Sequence, residues 1–237
     1  MGLQSFGVDV DVDVAEAGFP GLNIVGLPDK AVGEAKERVK TAILNSGLEF
    51  PPKKITVNLA PADLPKEGGS YDLPIAIGIL AASGQVPSSG GIFYGELSLD
   101  GSLRATRGVL LVGLFANTSP RHPSPNFSPS ARVFAVGEGN LRKPCPQVYV
   151  PVESANEAAV VEDINVYPVR NLKELVDHLN NVKAIESLSH LVIDGLIEDA
   201  PVDFDLSEVA GQEQAKRALT IAAAGGHNVG MYGPPGT

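Results

Sequence analysis

The residues with the clearest capacity for chemistry close the sequence: Gly233-Pro234-Pro235-Gly236-Thr237, preceded by Asn228-Val229-Gly230-Met231-Tyr232. A phosphate-binding loop reads G-x-x-x-x-G-K-[ST] between a strand and a helix. The last five residues fit its first five positions, and residues 228–232 read as the short strand before it. In such a loop, glycines let backbone N–H groups turn toward the β- and γ-phosphates. The lysine neutralises them and the hydroxyl holds Mg²⁺. The sequence ends ahead of the G-K-[ST] that finishes the loop. An ordinary Gly-Pro turn has the same look, so on these residues alone both readings stand.

Other candidates carry weaker signals. Asp9, Asp11 and Asp13 alternate with Val8, Val10, Val12 and Val14. Period two makes them the solvated face of a strand, and a metal site would need ligands converging from elsewhere. Cys145 is the one cysteine, in a Pro-flanked loop. A single cysteine excludes an internal disulfide and a Cys-rich zinc site, and it fits a reducing compartment.

The elements that must position these residues are legible from periodicity. A turn at Gly18-Phe19-Pro20-Gly21 and a second strand over 22–27 read as a hairpin with the first. Asp29 caps a helix whose Val32, Ala35, Val39, Ala42 and Ile43 share a face; Glu34 and Arg38 can pair on the other, and Asn45-Ser46-Gly47 ends it. A strand over 54–59 precedes a Pro- and Gly-rich loop over 60–71. Residues 73–82 form a nearly all-apolar helix with Pro74 in its first turn, so it is buried on most sides. A strand over 93–99 meets Asp100-Gly101, a hairpin signal toward Leu103, and 108–116 is another apolar helix. Residues 118–130 hold three Ser-Pro dipeptides and read as a surface insertion. Strands over 132–136 and 147–152 and helices over 153–161 and 172–179 follow, then a weakly patterned acidic stretch to about 204. A helix over 212–224 puts Ala215, Leu219 and Ala222 on one face and leads to Gly225-Gly226. Strands alternating with hairpins and then helices predict an α/β (α+β) architecture with a mixed sheet.

Bulk properties exclude several classes. The net charge of −10 gives no general attraction for nucleic acid, though a local basic patch is compatible with it. No run of 18 apolar residues predicts a membrane span, and the first residues lack a secretory signal, which leaves the cytoplasm as the expected location.

Several blocks carry a further signal. Leu206-Ser207-Glu208-Val209-Ala210-Gly211-Gln212 and Ala215-Lys216-Arg217-Ala218-Leu219 lead through Ala222-Ala223-Ala224-Gly225-Gly226-His227-Asn228 to the closing motif. Upstream stand Leu22-Asn23-Ile24-Val25-Gly26-Leu27-Pro28-Asp29, then Val57-Asn58-Leu59-Ala60-Pro61-Ala62-Asp63-Leu64-Pro65-Lys66-Glu67-Gly68. Tyr71-Asp72-Leu73-Pro74-Ile75-Ala76 and Gly95-Glu96-Leu97-Ser98-Leu99-Asp100-Gly101 follow. In order and spacing, these blocks resemble the YifB/ComM family of Mg-chelatase-like AAA+ ATPases along nearly the whole chain.

The resemblance implies a Lon-protease-like domain, akin to a fold in a ribosomal small-subunit protein, over 1–180. It implies an acidic linker over 181–204 and the start of a P-loop AAA+ module over 205–237. Family members begin about one strand earlier and continue through the P-loop, so both ends are expected to be clipped. Val209, Ala210 and Gly211 are expected beside the adenine, and Gly233, Pro234, Pro235, Gly236 and Thr237 in the phosphate loop. ATP and Mg²⁺ are the implied cofactors of the full-length protein, with none bound by this stretch alone. A homo-oligomeric ring, a hexamer, is the implied assembly, with DNA as partner and no membrane. The implied activity is ATP-driven DNA remodelling by branch migration; a partner-binding module and a metal-chelatase motor are the rivals.

Lon enzymes use a Ser–Lys dyad, and Lys66-Glu67-Gly68-Gly69-Ser70 resembles the serine segment. The segment matching the lysine helix, Arg107-Gly108-Val109-Leu110-Leu111-Val112, has none. The expectation is a protease-dead scaffold in which Ser70 is a loop residue. Lys66, Glu67 and Asp72 then order that loop, or Lys66 binds a DNA phosphate.

Overall fold

Alternating valines make the first strand two-faced, and the main sheet is built on that asymmetry. The computed structural model describes residues 6–66, 68–88, 90–118, 132–134, 145–192, 205–225 and 228–233. Strand β1 (Asp9–Ala15) buries Val10 and Val12 completely. It pairs antiparallel with β3 (Lys54–Ala60) in the register Val10↔Leu59, Val12↔Val57 and Val14↔Ile55, which joins the apolar faces. On the other face Asp11 lies opposite Asn58, whose side-chain amide donates to Asp11 Oδ2 at 3.4 Å. The aspartates therefore form the polar face that their spacing predicts.

The expected hairpin does not form. Strand β2 (Gly21–Val25) runs parallel to β3, and with β7 (Arg132–Phe134) the order is β2-β3-β1-β7. Helix α1 (Lys30–Asn45) is the reason: it carries the chain back over the sheet, so β3 enters parallel to β2 and takes the place beside β1. Asp29 Oδ1 caps α1 by accepting from Val32 N–H at 2.7 Å. Val32, Ala35, Val39, Ala42 and Ile43 are all buried, as predicted.

Helix α2 (Asp72–Ala82) packs against β1 and α1 and is buried from Asp72 to Leu80. Each of its buried Leu and Ile side chains contributes about 1.5–3 kcal/mol. The strand predicted over 93–99 splits into β4 (Ile92–Phe93) and β5 (Glu96–Leu97). Gly95 causes the break: its N–H donates to the Ser70 carbonyl and its carbonyl accepts from Leu73 N–H, both at 3.1 Å. β5 pairs antiparallel with β6 (Leu103–Arg104) across the predicted Asp100-Gly101 turn.

A second, parallel sheet has the order β4-β8-β9, from β8 (Gln147–Pro151) and β9 (Asn165–Val169). Helices α3 (Val109–Thr118) and α4 (Ala155–Ala159) cover it through Val109, Ala116, Ala155 and Ala158. Pro168 hides β9 from periodicity; it is tolerated because β9 is an edge strand, where a missing N–H costs little. Helix α5 (Leu172–Leu179) follows, capped by Asn171. Residues 119–130 of the predicted insertion and half of the predicted linker, 193–204, lie outside the described residues.

Residues 180–192 do not leave the domain. Asn180 donates to the Gln85 carbonyl at 2.9 Å, Leu188 N–H to Val166 at 2.8 Å, and Leu191 N–H to Ala159 at 2.8 Å. His178 anchors this strap. Its Nδ1 accepts from Ile185 N–H at 2.9 Å, so the ring proton sits on Nε2, 3.4 Å from the Tyr149 hydroxyl. Tyr149 stacks between Phe93 and Tyr167, with centroids 4.8 and 5.0 Å away.

Burial holds His178 below its ordinary pKa. A histidine that is harder to protonate when folded contributes its full stability above the unfolded pKa of about 6.5 and loses it as pH falls through that value toward the folded one. Urea denaturation at a series of pH values from about 7.5 to 5 is expected to show falling stability. His178→Gln is expected to flatten that slope; an unchanged slope assigns it to other groups.

Candidate functional site

The chain divides into two compact units, Met1–Ile193 and Asp194–Thr237. In the second, Asp205 opens a short 3-10 turn (Leu206–Glu208) by accepting from Ser207 N–H at 2.7 Å. The Ser207 hydrogen bonds lower the Asp205 pKa. Val209 leaves the turn extended, and Gly211 (φ +70°) and Gln212 (φ +57°) bend the chain into helix α6 (Glu213–Gly225). Glycine adopts the first of these left-handed conformations without the cost a side chain would carry. Lys216 N–H closes the first turn onto the Gln212 carbonyl at 3.0 Å. Ala222 is buried, with Ala215 and Leu219 half-buried on the same face, as predicted.

Of the predicted nucleotide residues, Val209 (43% exposed), Ala210, Gly211 and Gly233 are open to solvent. An adenine ring needs an apolar surface and reachable backbone groups, and Val209–Gly211 offers both. Pro234, Pro235, Gly236 and Thr237 lie outside the described residues, as does His227. The strand predicted over 228–232 is not formed: a strand exists through a hydrogen-bonded neighbour, and among the described residues none pairs with this stretch. Val229, Met231 and Tyr232 are exposed.

The first unit holds a buried charge cluster. Asp72, 0% exposed, opens α2 and takes two bonds from Arg38: Nε to Oδ2 at 2.9 Å and Nη2 to Oδ1 at 3.1 Å. Leu97 N–H adds a third at 3.3 Å. Burial pushes the Asp72 carboxyl above its usual range, while Arg38 and the Leu97 amide pull it back. The carboxylate in turn raises the pKa of Arg38. The predicted Glu34–Arg38 pair gives way here: Arg38 turns inward because a buried carboxylate demands a cation, and Glu34 sits 4.0 Å from Lys30 instead. The signal in the sequence was there. Asp72 begins a helix buried on every side, and Arg38 lies three residues after Ala35 and four before Ala42, at the border of the apolar face of α1.

Lys66 is 0% exposed, and its ammonium donates to the Pro61 carbonyl. Its backbone joins the loop to the start of α1: Asp29 N–H donates to the Lys66 carbonyl at 3.1 Å, and Lys66 N–H to Leu27 at 3.4 Å. Lys66 thus orders the 60–71 loop, as expected, whereas the Asp72 carboxylate binds Arg38 of α1 and Leu97 of β5 rather than that loop; Glu67 lies outside the described residues. The alternative role of Lys66, binding a DNA phosphate, is overturned, because a fully buried ammonium cannot reach a polyanion. Ser70 sits in a 3-10 turn (Gly69–Tyr71) and accepts from Gly95 through its carbonyl. Among the described residues, no lysine, histidine or carboxylate hydrogen-bonds its hydroxyl, and no three His, Cys, Asp or Glu side chains gather to hold a metal.

Two family profiles match the chain: "Subunit ChlI of Mg-chelatase" over residues 10–122 and "Magnesium chelatase, subunit ChlI" over 205–237. Competence protein ComM of Haemophilus influenzae is 41% identical over 241 aligned residues, covering 100% of this chain and 42% of that protein. YifB of Escherichia coli is 40% identical over 243, again 100% of this chain and 42% of the relative. A Mycobacterium tuberculosis protein, Rv2897c, is 35% identical over 238, covering 99% of this chain and 42% of its own length. The chain belongs to the Mg-chelatase-like family that includes ComM and YifB. It spans about two fifths of the length of these relatives. Among the described residues, no helix is long and apolar enough to cross a membrane.

Proposed function

We propose that this chain forms the leading part of an ATP-driven motor that remodels DNA as a homo-oligomeric ring, a hexamer, in the cytoplasm. The observation that carries the nucleotide reading is the exposed Val209–Gly211 bend entering α6, within a segment that matches the ChlI profile. Val209, Ala210 and Gly211 would border the adenine, and Gly233, Pro234, Pro235, Gly236 and Thr237 would begin the phosphate loop. Bound ATP–Mg²⁺ supplies the phosphoryl chemistry that drives such motors.

The preceding domain takes the part of an inert, Lon-like scaffold. Ser70 lacks a hydrogen-bonded base among the described residues, and the nearest lysine in sequence, Lys66, is engaged with Pro61. A serine with no base to take its proton is a poor nucleophile.

The loop residues present include no G-K-[ST]. A 237-residue polypeptide is therefore expected to leave ATP intact. A protein in which Gly-Lys-Ser or Gly-Lys-Thr follows Thr237 is expected to hydrolyse ATP with Mg²⁺. Failure of that protein to do so, or turnover by residues 1–237 alone, removes the nucleotide reading.

A second reading, a partner-docking module, is favoured by the burial of Lys66 and the net charge of −10. A gel shift on the 237-residue chain separates the two. DNA binding that weakens steeply with salt supports the motor's grip on DNA through this domain. Its absence, with protein partners retained, supports docking.

A further inference from the structure

β2 is an edge strand of the main sheet, with β3 on one side and no partner among the described residues on the other. Its sequence, Gly21-Leu22-Asn23-Ile24-Val25, holds no charge and no proline, the usual devices that close an edge to other chains. Gly21 N–H points inward to the Lys53 carbonyl at 3.3 Å. In a parallel strand the backbone groups alternate sides, so those of Leu22 and Ile24 point outward.

Beside this edge lies a groove of 390 Å³ between β2, α1 and the 50–53 turn. Its apolar wall is Leu22, Leu44 and Phe50; its polar wall carries Lys36, Lys40 and Lys53. Glu37 is the one acidic residue lining it. Lys40 Nζ lies 6.0 Å from the Phe50 ring centroid, which holds a positive charge over the apolar floor. In a chain of net charge −10, three lysines on one groove are a local inversion of sign.

An open strand edge next to a helix is how extended peptides are captured by strand addition. Main-chain bonds give affinity, and alternate side chains enter the groove. We propose that this groove takes an extended acidic peptide of a partner protein, added as a strand to β2, with an aliphatic side chain against Leu22, Leu44 and Phe50. Its carboxylates face Lys36, Lys40 and Lys53. This assignment stands independently of the nucleotide reading.

The test uses the 237-residue chain and a fluorescein-labelled octapeptide of alternating valine and glutamate. Its lysine-for-glutamate counterpart is the control. Binding of the glutamate peptide, at least about tenfold tighter than the lysine peptide, is expected. Lys36→Glu with Lys40→Glu, both on the solvent side of α1, is expected to weaken it by about tenfold or more. Hydrogen exchange is expected to slow at Leu22 and Ile24 on binding. Leu22→Pro removes one outward N–H and is expected to weaken the peptide while circular dichroism stays unchanged; if that variant unfolds, the lysine reversal decides alone. No binding, no effect of the lysine reversal, or protection elsewhere overturns the proposal. So does concentration-dependent self-association that protects β2, which makes a second copy the occupant. Single-stranded DNA displacing the peptide overturns it as well.

Discussion

Arg38→Leu is expected to lower unfolding free energy by about 3–5 kcal/mol at neutral pH, a large share of the roughly 5–15 kcal/mol a domain commands. The cause is the carboxylate left behind. Asp72 is wholly buried and retains only the Leu97 amide at 3.3 Å among the bonds described for it. Burial holds its carboxyl above the usual range even with Arg38 in place, so removing the guanidinium drives it further up. Such a group binds a proton more readily folded than unfolded. The deficit is therefore largest well above the folded pKa and shrinks as pH falls toward the unfolded value near 3.9. Urea midpoints of wild type and variant at several pH values check both claims. A deficit under about 1 kcal/mol, or one that does not narrow with acid, assigns the pair a surface-like role.

Gly26→Ala is expected to cost about 3–4 kcal/mol, or to prevent folding. Gly26 has φ +104°, a conformation that L side chains rarely adopt. A Cβ there would lie 2.1 Å from the Leu59 carbonyl oxygen and 2.9 Å from its carbon. These are backbone atoms of the central strand β3, so the clash is relieved only by opening the β2–β3 pair. Gly33→Ala, where a Cβ meets nothing within 4 Å, is the control and is expected to be neutral or mildly stabilising. Thermal melts of the two variants compare them directly.

Much of the first sheet is written in local pattern. The valines of β1, the capped and one-sided α1 and the all-apolar α2 are each decided within a dozen residues, so period and capping suffice. Partner choice is not local. Whether β1 meets β2 or β3 depends on a helix crossover, and whether Arg38 meets Glu34 or Asp72 depends on a carboxylate 34 residues away. β9 escaped because Pro168 reads as a breaker unless its edge position is known. The segment proposed to border a nucleotide stands out only as a linear pattern. Val209 to Gly211 is exposed and contains little that packs, so no core contact marks it out.

The sheet order also sets a timetable for synthesis. β1 is made before β3, and the strand that follows it in sequence is not its neighbour in space. It waits for β3, and at ribosomal speed the interval from Ala15 to Ala60 is roughly 2–9 s. Throughout that wait a valine-rich ribbon lacks the β3 partner that covers one of its edges in the finished sheet. Asp9, Asp11 and Asp13 sit between the valines, so such ribbons repel one another before they can zip together. The acidic stripe is thus expected to oppose such pairing at a stage when the finished sheet does not yet exist.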